Sequence, residues 1–209
     1  SDVMMPRMNG YKLCKTIKED INISHIPVIL LTARDDRQSQ ISGYKNGADG
    51  YLSKPFEVEM LMELIRNRLK NREYTKKRYL NAGLIPTPEE STISLTDETF
   101  LIKLNSIIQE NIDNTNLGIQ FICQEVGLGR SSLYNKLKAL TGMGANEYIS
   151  KLRIEKAITL ISGTDMPFSE IAEKTGFTTP SYFSTTFKQY TGETPSQYKE
   201  RKKKGLTDQ

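Results

Sequence analysis

Residues 122–142 read ICQEVGLGRSSLYNKLKALTG, and residues 171–192 repeat the same pattern as IAEKTGFTTPSYFSTTFKQYTG. The apolar positions of the two copies coincide when one inserted residue is allowed, Gly127 aligns with Gly176, and each copy closes on Thr-Gly. Self-similarity at an offset of 49 to 50 residues indicates a duplicated structural unit. Two copies are too few for a solenoid, so the sequence predicts one small supersecondary unit that is used twice.

The helix-ending and helix-starting residues of each copy predict a helix, a tight turn and a second helix. The first apolar run ends at a glycine, which can take the left-handed conformation that stops a helix. Residues suited to start a helix follow, at 130–132 in one copy and 179–181 in the other. This is the helix-turn-helix pattern, whose second helix can enter a DNA major groove. A helical hairpin of purely structural use is the alternative for a single copy, and the repeat argues against it.

The second helix of each copy, predicted over 130–140 and 180–190, has one polar face because its apolar residues recur at four-residue spacing. The residues that point outward are Arg130, Ser131, Tyr134, Asn135 and Lys138 in the first copy and Ser181, Tyr182, Thr185 and Lys188 in the second. Asn135 can read adenine through two hydrogen bonds, whereas tyrosine and threonine hydroxyls suit phosphate or water-mediated contacts. We therefore expect base specificity from the first helix and positioning from the second.

The charge of the chain permits a nucleic-acid partner without demanding one. The 209 residues include 29 Lys and Arg against 25 Asp and Glu, but residues 81–209 hold 14 basic and 15 acidic residues. Residues 127–157 include six basic and two acidic side chains: Arg130, Lys136, Lys138, Lys151, Arg153 and Lys156, with Glu147 and Glu155. Such a local patch can contact phosphates whatever the total charge. A protein-interaction module on the same scaffold is the alternative.

Cysteine, histidine and hydropathy exclude several classes of protein. Cys14 and Cys123 lie in separate apolar-periodic segments, as expected of core residues in a reducing compartment, and we expect no disulfide between them. His25 is the only histidine, so neither a zinc site nor a histidine-based catalytic group is expected. No apolar run reaches bilayer length, and no secretory signal precedes the first motif. We expect a cytoplasmic, non-enzymatic chain without direct membrane contact.

Strands and helices alternate in residues 1–70, which predicts a parallel sheet. Strands are predicted at 27–31 and 51–52, and helices over 11–20, 36–46 and from residue 57 onward. The last helix has an apolar face that is expected to pack on the core: Met60, Leu61, Leu64, Ile65 and Leu69.

Three motifs in this part carry a family resemblance: D-x-x-M-P-x-M-x-G from Asp2, the strand ending at Thr32, and GADGYLSKPF at 47–56. Residues 1–70 resemble the second half of a response-regulator receiver domain, the phosphoacceptor module of two-component signalling, which has a flavodoxin-like α/β fold. The resemblance implies that Asp2 accepts the phosphoryl group and that Lys54 offsets its charge. The remaining switch positions that it implies are Thr32, Tyr51 and Pro55, with a cis peptide before the proline.

The resemblance also implies a Mg²⁺ site, built from Asp2, a backbone carbonyl near Met4 and an acidic pair after the first strand of the complete domain. The chain begins inside the motif and lacks that pair. We therefore expect a fragment whose Mg²⁺ site is incomplete, which holds no cofactor and which is phosphorylated inefficiently. The missing strands are expected to leave the sheet edge at 28–31 exposed.

Residues 97–202 resemble the DNA-binding domain of the AraC family of transcription regulators, most clearly in GFTTPSYFSTTFKQYTGETPSQYK. The family's base-reading positions fall here on Ser131, Tyr134, Asn135, Pro180, Ser181, Tyr182 and Thr185. With its receiver part, the chain is similar to hybrid two-component regulators, which join sensor, histidine kinase, receiver and AraC-type domain in one polypeptide, can be membrane-anchored, and often control sugar or polysaccharide utilisation genes. The implied partners are promoter DNA, a histidine kinase or same-chain kinase domain, and a second copy in a homodimer.

The sequence thus predicts a mainly α protein, in which an all-α double helix-turn-helix domain follows an incomplete α/β receiver domain. The predicted boundaries are 1–70 for the receiver part, 71–94 for a linker, 95–202 for the DNA-binding domain and 203–209 for a tail. A connecting helix over 145–162 would be about 27 Å long, comparable with the roughly 34 Å between successive major-groove faces. The predicted function is sequence-specific transcription regulation at the output of a phosphorelay. A phosphotransfer or protein-interaction module without specific DNA binding is the alternative.

Overall fold

The computed structural model describes residues 1–33, 45–82 and 94–207 of the chain. Most of the helix predicted over 36–46, and the second half of the predicted linker, lie outside these residues. The chain divides into two compact units. The first comprises Ser1–Ile102 and Ser131–Gly142, and the second comprises Lys103–Arg130 and Met143–Gln209.

The sheet of the first unit has a better-protected strand than the sequence suggested. β1 (Ile29–Thr32) pairs in parallel with β2 (Gly50–Ser53) along one edge. On its other edge, Val3 donates its N–H to the Leu31 carbonyl at 2.8 Å, and Leu31 donates to the Ser1 carbonyl at 2.7 Å. The expectation of an exposed edge at 28–31 is therefore wrong, because residues 1–3 act as a short additional strand.

Helix α1 (Gly10–Glu19) covers one face of this sheet. Asn9 starts the helix, since its side-chain oxygen accepts the N–H of Lys12 at 2.8 Å. A small apolar core forms between the helix and the strands, from Val3, Cys14, Val28, Leu30 and Ala48. At the far end of the helix, Lys18 pairs with Asp49 at 2.7 Å. The helix is thereby fixed to the loop that enters β2.

Helix α2 (Val58–Ala82) is more exposed than its sequence pattern indicates. Met60 and Leu69 are 61% and 53% exposed, and none of the described side chains of this helix is buried. The predicted core face is confirmed only in part: Leu61, Leu64 and Ile65 are half-buried, and a Cβ at Gly50 of β2 would lie 3.2 Å from Leu64, whereas the outer positions Met60 and Leu69 are exposed. The helix also continues to Ala82, twelve residues into the predicted linker.

Three helices follow: α3 (Leu95–Glu110), α4 (Ile119–Val126) and α5 (Arg130–Thr141). Helix α3 begins with a hydrogen bond from the Asp97 N–H to the Ser94 hydroxyl at 3.2 Å. Thr96, in the first turn, donates its hydroxyl to the Lys18 carbonyl at 2.9 Å. The apolar residues of α3 recur at helical spacing and are buried: Phe100, Leu101, Leu104, Ile107 and Ile108.

The second unit also contains α6 (Ala145–Gly163), α7 (Phe168–Lys174), α8 (Pro180–Thr191) and α9 (Pro195–Thr207). These four helices enclose one core, made by Ile154, Ala157, Ile161, Ile171, Ala172, Phe177, Phe183, Phe187 and Tyr198. Its four aromatic rings stack edge to face in sequence, with centroids 5.4, 5.7 and 5.6 Å apart. Such pairs add about 0.5–1.5 kcal/mol each to the area they bury.

The predicted fold class is confirmed: the described residues are mainly helical, with a small parallel sheet near the N-terminus. The recognition helices, predicted over 130–140 and 180–190, each extend one residue further, to Thr141 and Thr191. Helix α9 continues through the predicted tail to Thr207. Among the described residues, no helix combines the length and the apolar character that crossing a bilayer requires.

Candidate nucleic-acid interface and phosphoacceptor site

Helix α5 presents its polar face to solvent and buries the opposite one. Leu133 and Leu137 are buried. All five residues predicted to point outward are exposed: Arg130, Ser131, Tyr134, Asn135 and Lys138. The turn before the helix is made by Gly127, whose φ of 71° is in the left-handed region. A glycine turn and an apolar i, i+4 pair therefore determine which side chains of α5 are accessible.

Helix α8 repeats this arrangement with different residues. Thr179 caps the helix by accepting the N–H of Tyr182 at 3.2 Å, and Pro180 occupies the first turn. Phe183 and Phe187 are fully buried. The predicted contact residues are exposed: Pro180, Ser181, Tyr182, Thr185 and Lys188.

The duplication extends to the backbone. Gly127 and Gly176, which precede α5 and α8, share a φ of 71°. After each helix, Gly142 and Gly192 have φ values of 79° and 83°. The threonines that end the helices, Thr141 and Thr191, each donate to the carbonyl four residues earlier at 2.8 Å. The two copies are thus the same motif in local backbone geometry as well as in sequence.

Several side chains that the sequence analysis counted toward a basic patch are buried. Lys136 is inaccessible, and Lys151 and Arg153 are each 8% exposed. Arg153 donates to the carbonyl oxygens of Ile112 at 3.3 Å and Asn114 at 2.6 Å, and burial lowers its pKa. Three of the six basic residues between 127 and 157 are therefore structural, which leaves three on the surface: Arg130, Lys138 and Lys156.

A tyrosine that the sequence analysis did not select fixes α8 to the start of α6. Tyr190 donates its hydroxyl to the Glu147 carbonyl at 2.9 Å. Partial burial, reinforced by the nearby Glu147 carboxylate, raises the pKa of Tyr190 to about 12. The hydroxyl therefore stays protonated and keeps its role as a donor. Its position one residue before the closing Thr-Gly was the only sequence signal available.

The predicted phosphoacceptor residues converge at the ends of the strands. Asp2 Oδ2 lies 2.7 Å from Lys54 Nζ, and Asp2 Oδ1 accepts the N–H of Met4 at 3.2 Å. The hydrogen bond from Lys54, followed by that from Met4, lowers the pKa of Asp2. Thr32 is buried and its carbonyl accepts the Lys54 N–H at 2.6 Å.

The two other predicted switch positions flank this pair. Tyr51 is half-buried in β2, opposite Leu30 of β1. The peptide before Pro55 is cis. Among the described residues, no three His, Cys, Asp or Glu side chains cluster as a metal site requires. The described residues thus place a carboxylate whose pKa is lowered beside its cationic partner.

Known proteins resemble both parts of the chain. The response regulator receiver domain family matches residues 1–66, and a helix-turn-helix domain family matches residues 122–201. Histidine kinase P4 of Formosa agariphila is 43% identical over 201 residues, 96% of this chain and 15% of that protein. Heme response regulator HssR of Staphylococcus saprophyticus is 51% identical over 69 residues, 33% of this chain and 30% of that protein. The C-terminal domain of the response regulator AraT from Geobacillus stearothermophilus is 29% identical, with a TM-score of 0.46. The match covers 49% of this chain and 84% of that one.

The chain therefore combines a response regulator receiver region at 1–66 with an AraC-type helix-turn-helix domain at 122–201. This combination fits a transcription regulator of a two-component system, and such domains are typically non-enzymatic. The chain spans 15% of the length of Histidine kinase P4.

Proposed function

We propose that this chain is the output part of a two-component regulator and binds double-stranded promoter DNA through α5 and α8. One observation carries the proposal: every predicted contact residue is exposed, on two helices that share their local backbone geometry. The apolar residues of each helix are buried on its opposite face. Two equivalent helices with polar faces suit recognition of paired groove segments, since helix-turn-helix proteins place such helices in major grooves.

The two helices have different roles in this proposal. Helix α5 carries Arg130, Asn135 and Lys138, which can contact base edges and phosphates. Helix α8 carries threonine, serine and tyrosine hydroxyls beside Lys188, which suit phosphate and water-mediated contacts. Base specificity therefore resides mainly in α5, and α8 contributes positioning.

The receiver part supplies the control. In the proposal a histidine kinase, separate or on the same longer chain, phosphorylates Asp2, which Lys54 holds as an ionised nucleophile. The similarity to a protein named a histidine kinase supports this partner. Mg²⁺ binding is assigned to the complete receiver domain, in which an acidic pair would join Asp2 and the backbone carbonyl near Met4. Sugar or polysaccharide utilisation genes as targets, homodimerisation and a cytoplasmic location belong to the same proposal.

Replacing Asn135 by alanine tests the DNA-binding assignment. Loss of a bidentate contact to adenine should cost about 1–3 kcal/mol on a selected site and little on random DNA. The binding site is first selected from a random duplex pool, and affinities are then measured at fixed salt. Asn67→Ala, the same change at an exposed position of α2, is the matched control and should leave both affinities unchanged.

Two results would contradict the proposal. Equal losses on selected and random DNA would show that Asn135 does not read bases. Absence of any salt-dependent binding at low ionic strength would favour a protein-interaction module, since phosphate contacts strengthen as salt falls.

A further inference from the structure

A buried polar cluster joins the loop after α1 to the first recognition helix. Lys136 of α5 donates from Nζ to the Ser24 hydroxyl at 2.7 Å and also to the Asp97 carboxylate. The Ser24 hydroxyl in turn donates to Asp97 Oδ1 at 2.7 Å. Ser24 and Lys136 are 0% exposed and Asp97 is 3% exposed. Each member of the cluster thus depends on the other two for its hydrogen bonds.

A second contact lies beside the cluster. Thr96 at the start of α3 donates its hydroxyl to the Lys18 carbonyl near the end of α1, at 2.9 Å. The Ser24 N–H is bonded to the Asp20 carbonyl at 2.8 Å, so the loop 20–24 is closed on itself. A small, internally bonded loop therefore meets α3 and α5 at the same place, and all of these residues belong to the first unit.

Helix α1 contacts the backbone of the phosphoacceptor Asp2 at its N-terminal end. The Gly10 N–H donates to the Val3 carbonyl at 2.9 Å. A Cβ at Gly10 would lie 2.3 Å from the Asp2 carbonyl oxygen, so the backbone of α1 rests directly on that of Asp2. Ten residues of helix, about 15 Å, separate this contact from the loop that meets Lys136.

The contact with the loop leaves the recognition face of α5 open. Lys136 points to the buried side together with Leu133 and Leu137, while Tyr134, Asn135 and Lys138 are exposed. Successive helical residues are separated by 100°, so residues on the buried side do not share a surface with the predicted DNA contacts. The loop therefore holds α5 from behind and does not cover the residues that would touch DNA.

A buried ion pair makes such a contact reversible. Taking both charges out of water has a large free-energy cost, which their mutual attraction offsets only in part. Burial likewise lowers the pKa of Lys136. When the loop moves away, water solvates both charges again, so opening costs less than the separation of an apolar interface of the same size.

We propose that the loop 20–24 is a reversible docking surface through which the receiver part holds α5 and thereby sets its affinity for DNA. An α5 that is held in place pays no ordering cost on binding, whereas a released one does. The effect on DNA affinity rests on the proposed function, but the docking itself does not.

Lysine reactivity measures the docking without DNA. The intact chain is treated with an amine-acylating reagent, and labelling is followed at each lysine by mass spectrometry. Lys136 can react only when the contact opens, whereas Lys138, exposed two residues further along the same helix, reports the unhindered rate. We expect Lys136 to be labelled at least about tenfold more slowly than Lys138.

Substitutions in the loop then test whether the loop 20–24, and not the rest of the structure, protects Lys136. Ser24→Arg should bring the Lys136 rate to within about threefold of that of Lys138 and weaken specific DNA binding by about threefold to tenfold. Asn22→Arg puts the same side chain at an exposed position of the same loop and should change neither. Ser24→Ala, which removes hydrogen bonds without adding bulk, should raise the Lys136 rate by about threefold or more and serves if the arginine variant does not fold.

Three results would overturn the proposal. Equal labelling of Lys136 and Lys138 in the unmodified chain would show that the cluster is not buried. Continued protection of Lys136 in both folded Ser24 variants would show that the loop does not cover it. Faster labelling of Lys136 in the Ser24 variants with unchanged DNA affinity would show that docking of the loop on α5 does not set the affinity for DNA. Failure of the unmodified chain to bind DNA would instead contradict the proposed function and leave the labelling results intact.

Discussion

The pKa of Asp2 is lowered by two specific partners, and one of them, the Lys54 side chain, can be removed by substitution. The carboxylate is joined to Lys54 Nζ at 2.7 Å and to the Met4 N–H at 3.2 Å. Both partners favour the charged form, so the pKa of Asp2 is lowered, with the Lys54 hydrogen bond as the larger cause. A depressed carboxyl pKa stabilises the folded state above the unfolded pKa, and this contribution is lost as pH falls through the folded pKa.

Lys54→Met should therefore raise the pKa of Asp2 toward its ordinary value. The measurement is a titration of the Asp2 carboxyl carbon by nuclear magnetic resonance in both chains. Asp20 is an internal control, because its pKa is lowered mainly by the backbone and side chain of Asn22. A parallel change at Asp20 would point to general unfolding, and an unchanged Asp2 would show that Lys54 is not its main partner.

The two turn glycines have the same conformation in different surroundings. A Cβ on Gly127 would meet nothing within 4 Å. A Cβ on Gly176 would lie 2.4 Å from the Ile112 carbonyl oxygen and 2.7 Å from an Arg153 guanidinium nitrogen. Both have φ of 71°, which disfavours any residue with a Cβ.

Gly176→Ala should therefore destabilise the chain more than Gly127→Ala. The left-handed conformation costs about 1–2 kcal/mol in both variants. Overpacking adds about 1–3 kcal/mol at Gly176 alone. Urea unfolding at equal m-values gives the two free energies of unfolding. Equal losses would mean that Arg153 and the Ile112 carbonyl move away at little cost, and that the second turn is less tightly packed than the structure indicates.

At the scale of elements, local signals predicted most of the helices. Glycines with positive φ and a threonine cap determined the limits of α5 and α8 to within one residue. The apolar stripe of α3 was equally legible, since five of its residues at helical spacing are buried. These features depend on neighbours within a few residues, so the sequence carries them directly.

Features that depend on distant partners could not be predicted. The apolar pattern of α2 indicated a buried face, but a pattern does not say whether a partner surface is present, and Met60 is exposed. The pairing of residues 1–3 with β1 depends on contacts almost thirty residues apart. A threonine at the start of a helix is a usual cap, but the Thr96 hydroxyl bonds a carbonyl 78 residues earlier in the chain.

The candidate DNA interface shows the same division. Helical periodicity placed Asn135 and Thr185 on exposed faces. Counting charges failed for Lys136, because a count ignores which face a residue occupies. Lys136 follows Leu133 by three residues and precedes Leu137 by one, so its position on the apolar stripe was a usable sign of burial. The Ser24 and Asp97 partners that neutralise it could not be inferred locally.

Over the whole molecule, the small net charge requires that any DNA affinity come from a few placed cations. The chain has a formal net charge of +4, and residues 81–209 are close to neutral. Lys136, Lys151 and Arg153 are buried, which reduces the accessible set further. Long-range attraction by total charge is therefore weak, and the contact should depend on the individual cations of α5 and α8.

Salt dependence of binding tests this conclusion. Each phosphate contact adds about 0.9 to the slope of log affinity against log salt concentration. Lys138→Gln and Lys188→Gln should each reduce that slope by about 0.9, and the double variant by about 1.8, because the residues lie on different recognition helices. Lys12→Gln removes an equal charge from the exposed surface of α1 and should leave the slope unchanged. An equal reduction in the Lys12 variant would mean that total charge governs binding, and an unchanged slope in the Lys188 variant would remove α8 from the interface.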